Sequence, residues 1–155
     1  MSETSLPRGD RIHLAWLIAS TVLVCAYWTA YFLSDLMKPD FVHDPSKALL
    51  TSVYLGFEGS FPLPDAFVAV TSALAAFYLV GRDPKAVLWG LVSGGAMGFL
   101  ALIDIFFNLQ QGLYAPAYLA GDVGMQMEVV INIGCVLGAS WSIWRFWSHP
   151  LRLVR

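Results

Sequence analysis

Four apolar runs, each about twenty residues long, leave this chain few ways to fold. They cover residues 12–36 (IHLAWLIASTVLVCAYWTAYFLSDL), 62–80 (PLPDAFVAVTSALAAFYLV), 86–107 (AVLWGLVSGGAMGFLALIDIFF) and 125–147. At 1.5 Å per residue, about 20 helical residues span a hydrocarbon core of roughly 30 Å. Composition agrees, since 57% of the residues are hydrophobic and 13% charged, against roughly 25% charged in soluble domains. The expected fold is all-α: an integral membrane four-helix bundle forming a single domain over residues 1–155. The first run is much longer than the apolar core of a signal peptide and no Ala-x-Ala site follows it, so it is expected to stay in the mature protein.

Basic residues orient the bundle. With four crossings, the N-terminus, the loop GRDPK and the C-terminus share a side, and together they hold Arg8, Arg11, Arg82, Lys85, Arg145, Arg152 and Arg155. The other side holds only Lys38 and Lys47. The positive-inside rule then places both termini in the cytoplasm and the two longer loops outside, and a plasma or bacterial inner membrane suits that arrangement better than an organelle. Eight of the eleven acids fall on the outer side: Asp35, Asp40, Asp44, Glu58, Asp65, Asp104, Asp122 and Glu128.

Within this leaflet an acid is twice followed by asparagine four residues on, as Asp104 and Asn108 in LIDIFFNLQQG and as Glu128 and Asn132 in MEVVINIG. Residues at i and i+4 differ by about 40° around a helix and about 6 Å along it, so each pair shares a face. The third span runs outward and the fourth inward. If these faces meet, Asp104 lies level with Asn132 and Asn108 with Glu128, forming a crossed polar clasp. A clasp can be purely structural, because asparagine amides join membrane helices at roughly 0.6 to 2 kcal/mol per hydrogen bond. The functional alternative rests on the cost of an intramembrane acid, roughly 3 kcal/mol or more, which is usually met by a cavity or a partner. Glu58, Asp104, Asn108, Glu128 and Asn132 are therefore the candidate ligand-binding residues, with Asp35 and Asp65 secondary.

Gly90, Gly94 and Gly98 form a GxxxGxxxG ridge on the third span, and Gly134 and Gly138 a second small pair on the fourth. Such ridges let backbones approach; the second serves either another helix or a second copy of the protein. In GFEGSFPLPDAF, Pro62 and Pro64 suit a helix entrance and Asp65 complements its positive end. Upstream, DPSKALLTSVYL opens with Asp44 as a cap and Pro45 in the first turn, which predicts a short surface helix in the first outer loop. It either anchors at the interface or folds over the bundle as a lid.

Several chemistries find no support. Cys25 and Cys135 stand singly in different spans without a C-x-x-C. His13, His43 and His149 are scattered over both faces, so no metal or haem spacing is apparent. Phosphate loops and dinucleotide fingerprints are missing, and no cofactor or nucleic-acid partner is expected. The tail WRFWSHPLRLVR reads as an aromatic and basic anchor to anionic lipid.

The run EGSFPLP at the opening of the second span resembles the corresponding segment of the EXPERA family of four-helix membrane proteins, which includes sterol isomerases and the sigma-two receptor. The order of an Asp late in the first span, Glu58, Asp104 and Asn132 follows the same plan. The resemblance implies an intramembrane cavity where carboxylates bind a cationic or sterol-like ligand, and in some members isomerisation by proton transfer; the histidine used by the isomerases has no evident counterpart. Two functions from different classes are expected on these grounds. One is a binding protein or isomerase for a hydrophobic small molecule or membrane lipid; the other is an accessory subunit whose polar pairs and glycines serve assembly alone.

Overall fold

A computed structural model describes residues 6–35 and 37–148. Those residues form helices and connecting turns with no strand: α1 (Arg8–Leu33), α2 (Ala48–Glu58), α3 (Pro62–Val80), α4 (Lys85–Gln111), α5 (Pro116–Leu119) and α6 (Val123–Ser148). Four stretches are long and apolar enough to cross a membrane: α1, Pro45–Val80, α4 and α6. Leu36 of the first apolar run, and the tail beyond Ser148 with His149, Arg152 and Arg155, lie outside the described residues.

Local chemistry sets the boundaries. Pro62 begins α3, where its missing N–H has no intrahelical partner to lose, and Gly81 ends it. Helix α4 continues a full turn past the expected Phe107. Its true end is Gly112, whose left-handed φ of 68° lets the Leu113 N–H return to the Asn108 carbonyl at 2.9 Å. At the start of the segment before α2, Asp44 accepts from both the N–H and the hydroxyl of Ser46, at 2.9 and 2.7 Å. The Ser46 hydroxyl bond, aided by the backbone one, holds the Asp44 carboxyl below its usual value.

The main packing runs α1 on α3, α3 on α4 and α4 on α6. Glycines close the bundle. A Cβ at Gly90 would fall 1.9 Å from the Phe146 ring, and Gly98 faces the Ala139 methyl at 3.3 Å, so the α4 ridge seats α6. On α6, a Cβ at Gly138 would lie 1.8 Å from Trp16, whereas one at Gly134 would meet nothing within 4 Å. Gly138 thus receives α1 of its own chain, and only Gly134 of that pair faces open space. Midway through the bundle the Ser72 and Ser93 hydroxyls bond at 2.6 Å between α3 and α4.

The two ends of the bundle are covered differently. At one end Asp10 of α1 pairs with the Arg145 guanidinium of α6, beside a buried His13 that packs edge-on against Trp141 and Phe146. At the other, the segment before α2 folds across the start of α6: the Asp40 N–H donates to Asp122 at 2.8 Å, and Gly124 leaves room for the Lys38 and Pro39 backbone. Phe41, Tyr54, Leu113 and Met125 form a small core beneath this cover. We call this the acidic end.

Candidate functional site

Three elements converge at the acidic end. Glu58 is the last residue of α2, Asp104 lies in the penultimate turns of α4, and Glu128 sits in the second turn of α6. One carboxylate oxygen from each comes within 4.8 Å of the other two. Glu58 and Glu128 are buried and Asp104 is half-buried. Among the described residues no Lys, Arg or His forms an ion pair with any of them.

The amides are arranged around this centre. The Asn108 Nδ2 donates to Asp104 at 3.2 Å and contacts Glu128 directly, so α4 and α6 meet through the pairing of Asn108 with Glu128. Asn132 lies beside Asp104 and donates to the Tyr114 hydroxyl at 3.1 Å. The antiparallel run of α4 and α6 therefore aligns each acid with the other helix's asparagine. Asn108 is fully buried, and its Oδ1 has no hydrogen-bond partner.

Glu58, which from sequence could have lain in a pocket or at the interface, is 5% exposed. No donor is bonded to its carboxylate; its close neighbours are Glu128, Asp104 and Asp65. It reaches the centre because α2 packs against α4 and α6, with the Phe57 ring stacked on Phe107 of α4 at 3.8 Å and the Tyr54 hydroxyl on Glu128 of α6. Asp65 stands near Asp104 but is engaged by the Trp28 indole N–H at 2.9 Å. Asp35 is elsewhere. Its side chain is 65% exposed and bonded to Lys38 at 2.7 Å, which holds its carboxyl below the usual range.

Three aromatic residues join the site without having been singled out from sequence. Tyr54 is completely buried and donates its hydroxyl to Glu128 at 3.1 Å. Tyr114, in the loop after α4, offers its oxygen to Asn132, and burial raises its phenol above the ordinary value. Trp28 holds Asp65. A signal for Tyr54 was present: it stands four residues before Glu58, repeating the spacing of the two acid-asparagine pairs.

Beside the centre, a groove of about 460 Å³ opens on the outer face of α4, lined by Phe57, Phe99, Ile103, Phe106 and Phe107 among others. Phe57 adjoins Glu58, Ile103 adjoins Asp104 and Phe107 adjoins Asn108 in the chain. Chemically, the arrangement can neutralise a positive charge, accept hydrogen bonds from it and exclude water while doing so. No protein-family profile, curated protein or solved structure matches the chain.

Proposed function

We propose that this is a multi-pass membrane protein that binds a cationic amphiphile, with the carboxylates of Glu58, Asp104 and Glu128 receiving its charged group. The observation that carries the reading is the convergence of three acids, from three helices, with no basic partner among the described residues. Buried acids of that kind repel one another and are costly to desolvate, and positive charge brought among them relieves both penalties. Geometry is compatible: acceptors placed tetrahedrally about 2.8 Å from an ammonium nitrogen lie about 4.6 Å apart, close to the 4.8 Å bound found for the triad. Asn108, Asn132, Tyr54 and Tyr114 hold the acids in place, and the phenylalanine groove accommodates the apolar body.

The resemblance of EGSFPLP to EXPERA proteins points the same way and adds sterol-like ligands and proton-transfer isomerisation to the range of this proposal. The excess of Lys and Arg at the opposite end supports an orientation with the acidic end outside and both termini in the cytoplasm, in a plasma or inner membrane. Cysteine labelling tests that topology: tags near His43 and Gly121 react from outside and one at Arg82 does not.

The ligand reading is tested on protein purified in neutral detergent, titrated with dodecylammonium and with uncharged dodecanol. Dodecylammonium binds and dodecanol does not; Asp104→Asn and Glu128→Gln retain helical circular dichroism but weaken the amine about tenfold or more. Amine binding that is undiminished in both variants, while Asn132→Leu unfolds the bundle, overturns this reading in favour of a structural clasp. The clasp is the second reading, and its support is the direct contact of Asn108 with Glu128 between α4 and α6.

A further inference from the structure

One organic ammonium balances a single charge, and the triad supplies up to three. We infer that Glu58, Asp104 and Glu128, together with the side-chain oxygen of Asn108, form a site for a hard divalent cation of the magnesium, manganese or calcium class. This goes beyond the amphiphile reading and does not depend on it.

The donor set argues for this class. Every candidate ligand atom is oxygen and no thiolate or imidazole belongs to the cluster, a combination that selects hard cations over zinc or copper. Cation-oxygen distances of about 2.1 to 2.6 Å place oxygens on opposite sides of one ion about 4 to 5 Å apart. The triad's oxygens, all within 4.8 Å of one another, need only small rotamer adjustments to meet around a common centre.

Two further observations point to a missing occupant. Glu58 is more than nine-tenths buried and aimed at the other two acids, yet nothing donates to its carboxylate. A carboxylate so placed lacks the partner that buried charges normally have. Asn108 is the second. Its Nδ2 faces Asp104, Glu128 and the Tyr114 hydroxyl, three acceptors for two N–H bonds, while its Oδ1 has none. Half a turn of that amide presents the carbonyl oxygen to the space between Asp104 and Glu128. The amide nitrogen is a good neighbour for the empty cluster, and the oxygen is a good ligand for the filled one. Tyr54, bonded to the second oxygen of Glu128, would orient that ligand from behind.

The test uses the full chain in neutral detergent stripped of metal, titrated with manganese chloride and followed by the paramagnetic resonance of free manganese. The expected result is one saturable manganese per chain, displaced by calcium or magnesium chloride. Glu58→Gln, Asp104→Asn and Glu128→Gln each weaken it at least tenfold with an unchanged helical spectrum, and Asp35→Asn leaves it alone. Asn108→Asp, which replaces the amide by a fourth carboxylate of the same size, binds more tightly than the parent. Absence of saturable manganese, or binding that survives all three neutralisations, overturns the inference. Parallel titration with dodecylammonium keeps the two readings apart: amine binding without manganese removes only the metal site, manganese without amine removes only the amphiphile, and failure of both removes the two together.

Discussion

At one end of the bundle Asp10 meets the guanidinium of Arg145; at the other Glu58, Asp104 and Glu128 meet one another. Both ends bury acid, but among the described residues only the first supplies its counter-charge. A closed ion pair has nothing left to offer a ligand, and its removal is a matter of stability. The open cluster has its electrostatics unfinished, so neutralising it should cost the fold little and cost recognition a great deal. The contrast teaches that burial of an acid is not by itself a sign of a site; the whereabouts of its partner decides.

The largest expected effect strikes the closed end. Arg145→Met leaves Asp10 buried without its partner and should destabilise the protein by about 3 to 5 kcal/mol, whereas Asp10→Leu combined with Arg145→Met recovers much of that loss. Unfolding in graded denaturing detergent measures both. If Arg145→Met proves no worse than Glu58→Gln, the distinction between the ends disappears. Next comes overpacking: Gly138→Val drives a side chain into Trp16 and should cost about 1 to 3 kcal/mol, while Gly134→Val, facing open space, leaves the melting point of the isolated protein unchanged. At mid-bundle, Ser72→Ala removes one member of a hydroxyl pair common to neither end, and a loss of about 0.6 to 1.7 kcal/mol is expected there. The smallest effect sharpens the comparison most. Without ligand, Asp104→Asn and Glu58→Gln should melt at or slightly above the parent temperature, because each removes a like charge from a crowded cluster; a marked fall would show those acids to be part of the scaffold.

Much of this architecture can be read from the chain because the signals are local. The four long apolar stretches follow from run length, and α3 starts and stops at Pro62 and Gly81 because these residues punctuate any helix. Alignment of Asn108 with Glu128 follows from one spacing and the antiparallel direction of adjacent spans. Sequence reasoning stopped where packing between distant segments takes over. Helix α4 reads as ending at Phe107 because Asn108, Gln110 and Gln111 look like an exit, yet the helix continues to the glycine that can adopt a left-handed turn. Tyr114 enters through a loop, and Trp28 through a face of α1 that carries no acid worth noting. The path of α2 depends on Phe57 meeting Phe107, a contact between residues fifty positions apart that no periodicity reveals. The same packing of α2 is what brings Glu58 inside.

The hydrogen bond from Asn108 to Asp104, 3.2 Å within a single helix, has a bearing on how such a protein is made. Spans enter a bilayer in order of synthesis, and α4 is complete before α6 exists. During that interval Asp104 has neither Asn132 nor a finished cluster around it, and a lone acid in a fresh span is an obstacle to insertion. An asparagine one turn along gives it a partner that travels on the same helix, and a polar group so accompanied enters lipid at a lower cost than a bare one. Once α6 is in place the same amide keeps Asp104 and also contacts Glu128, so a bond made within one helix becomes part of the seam between two.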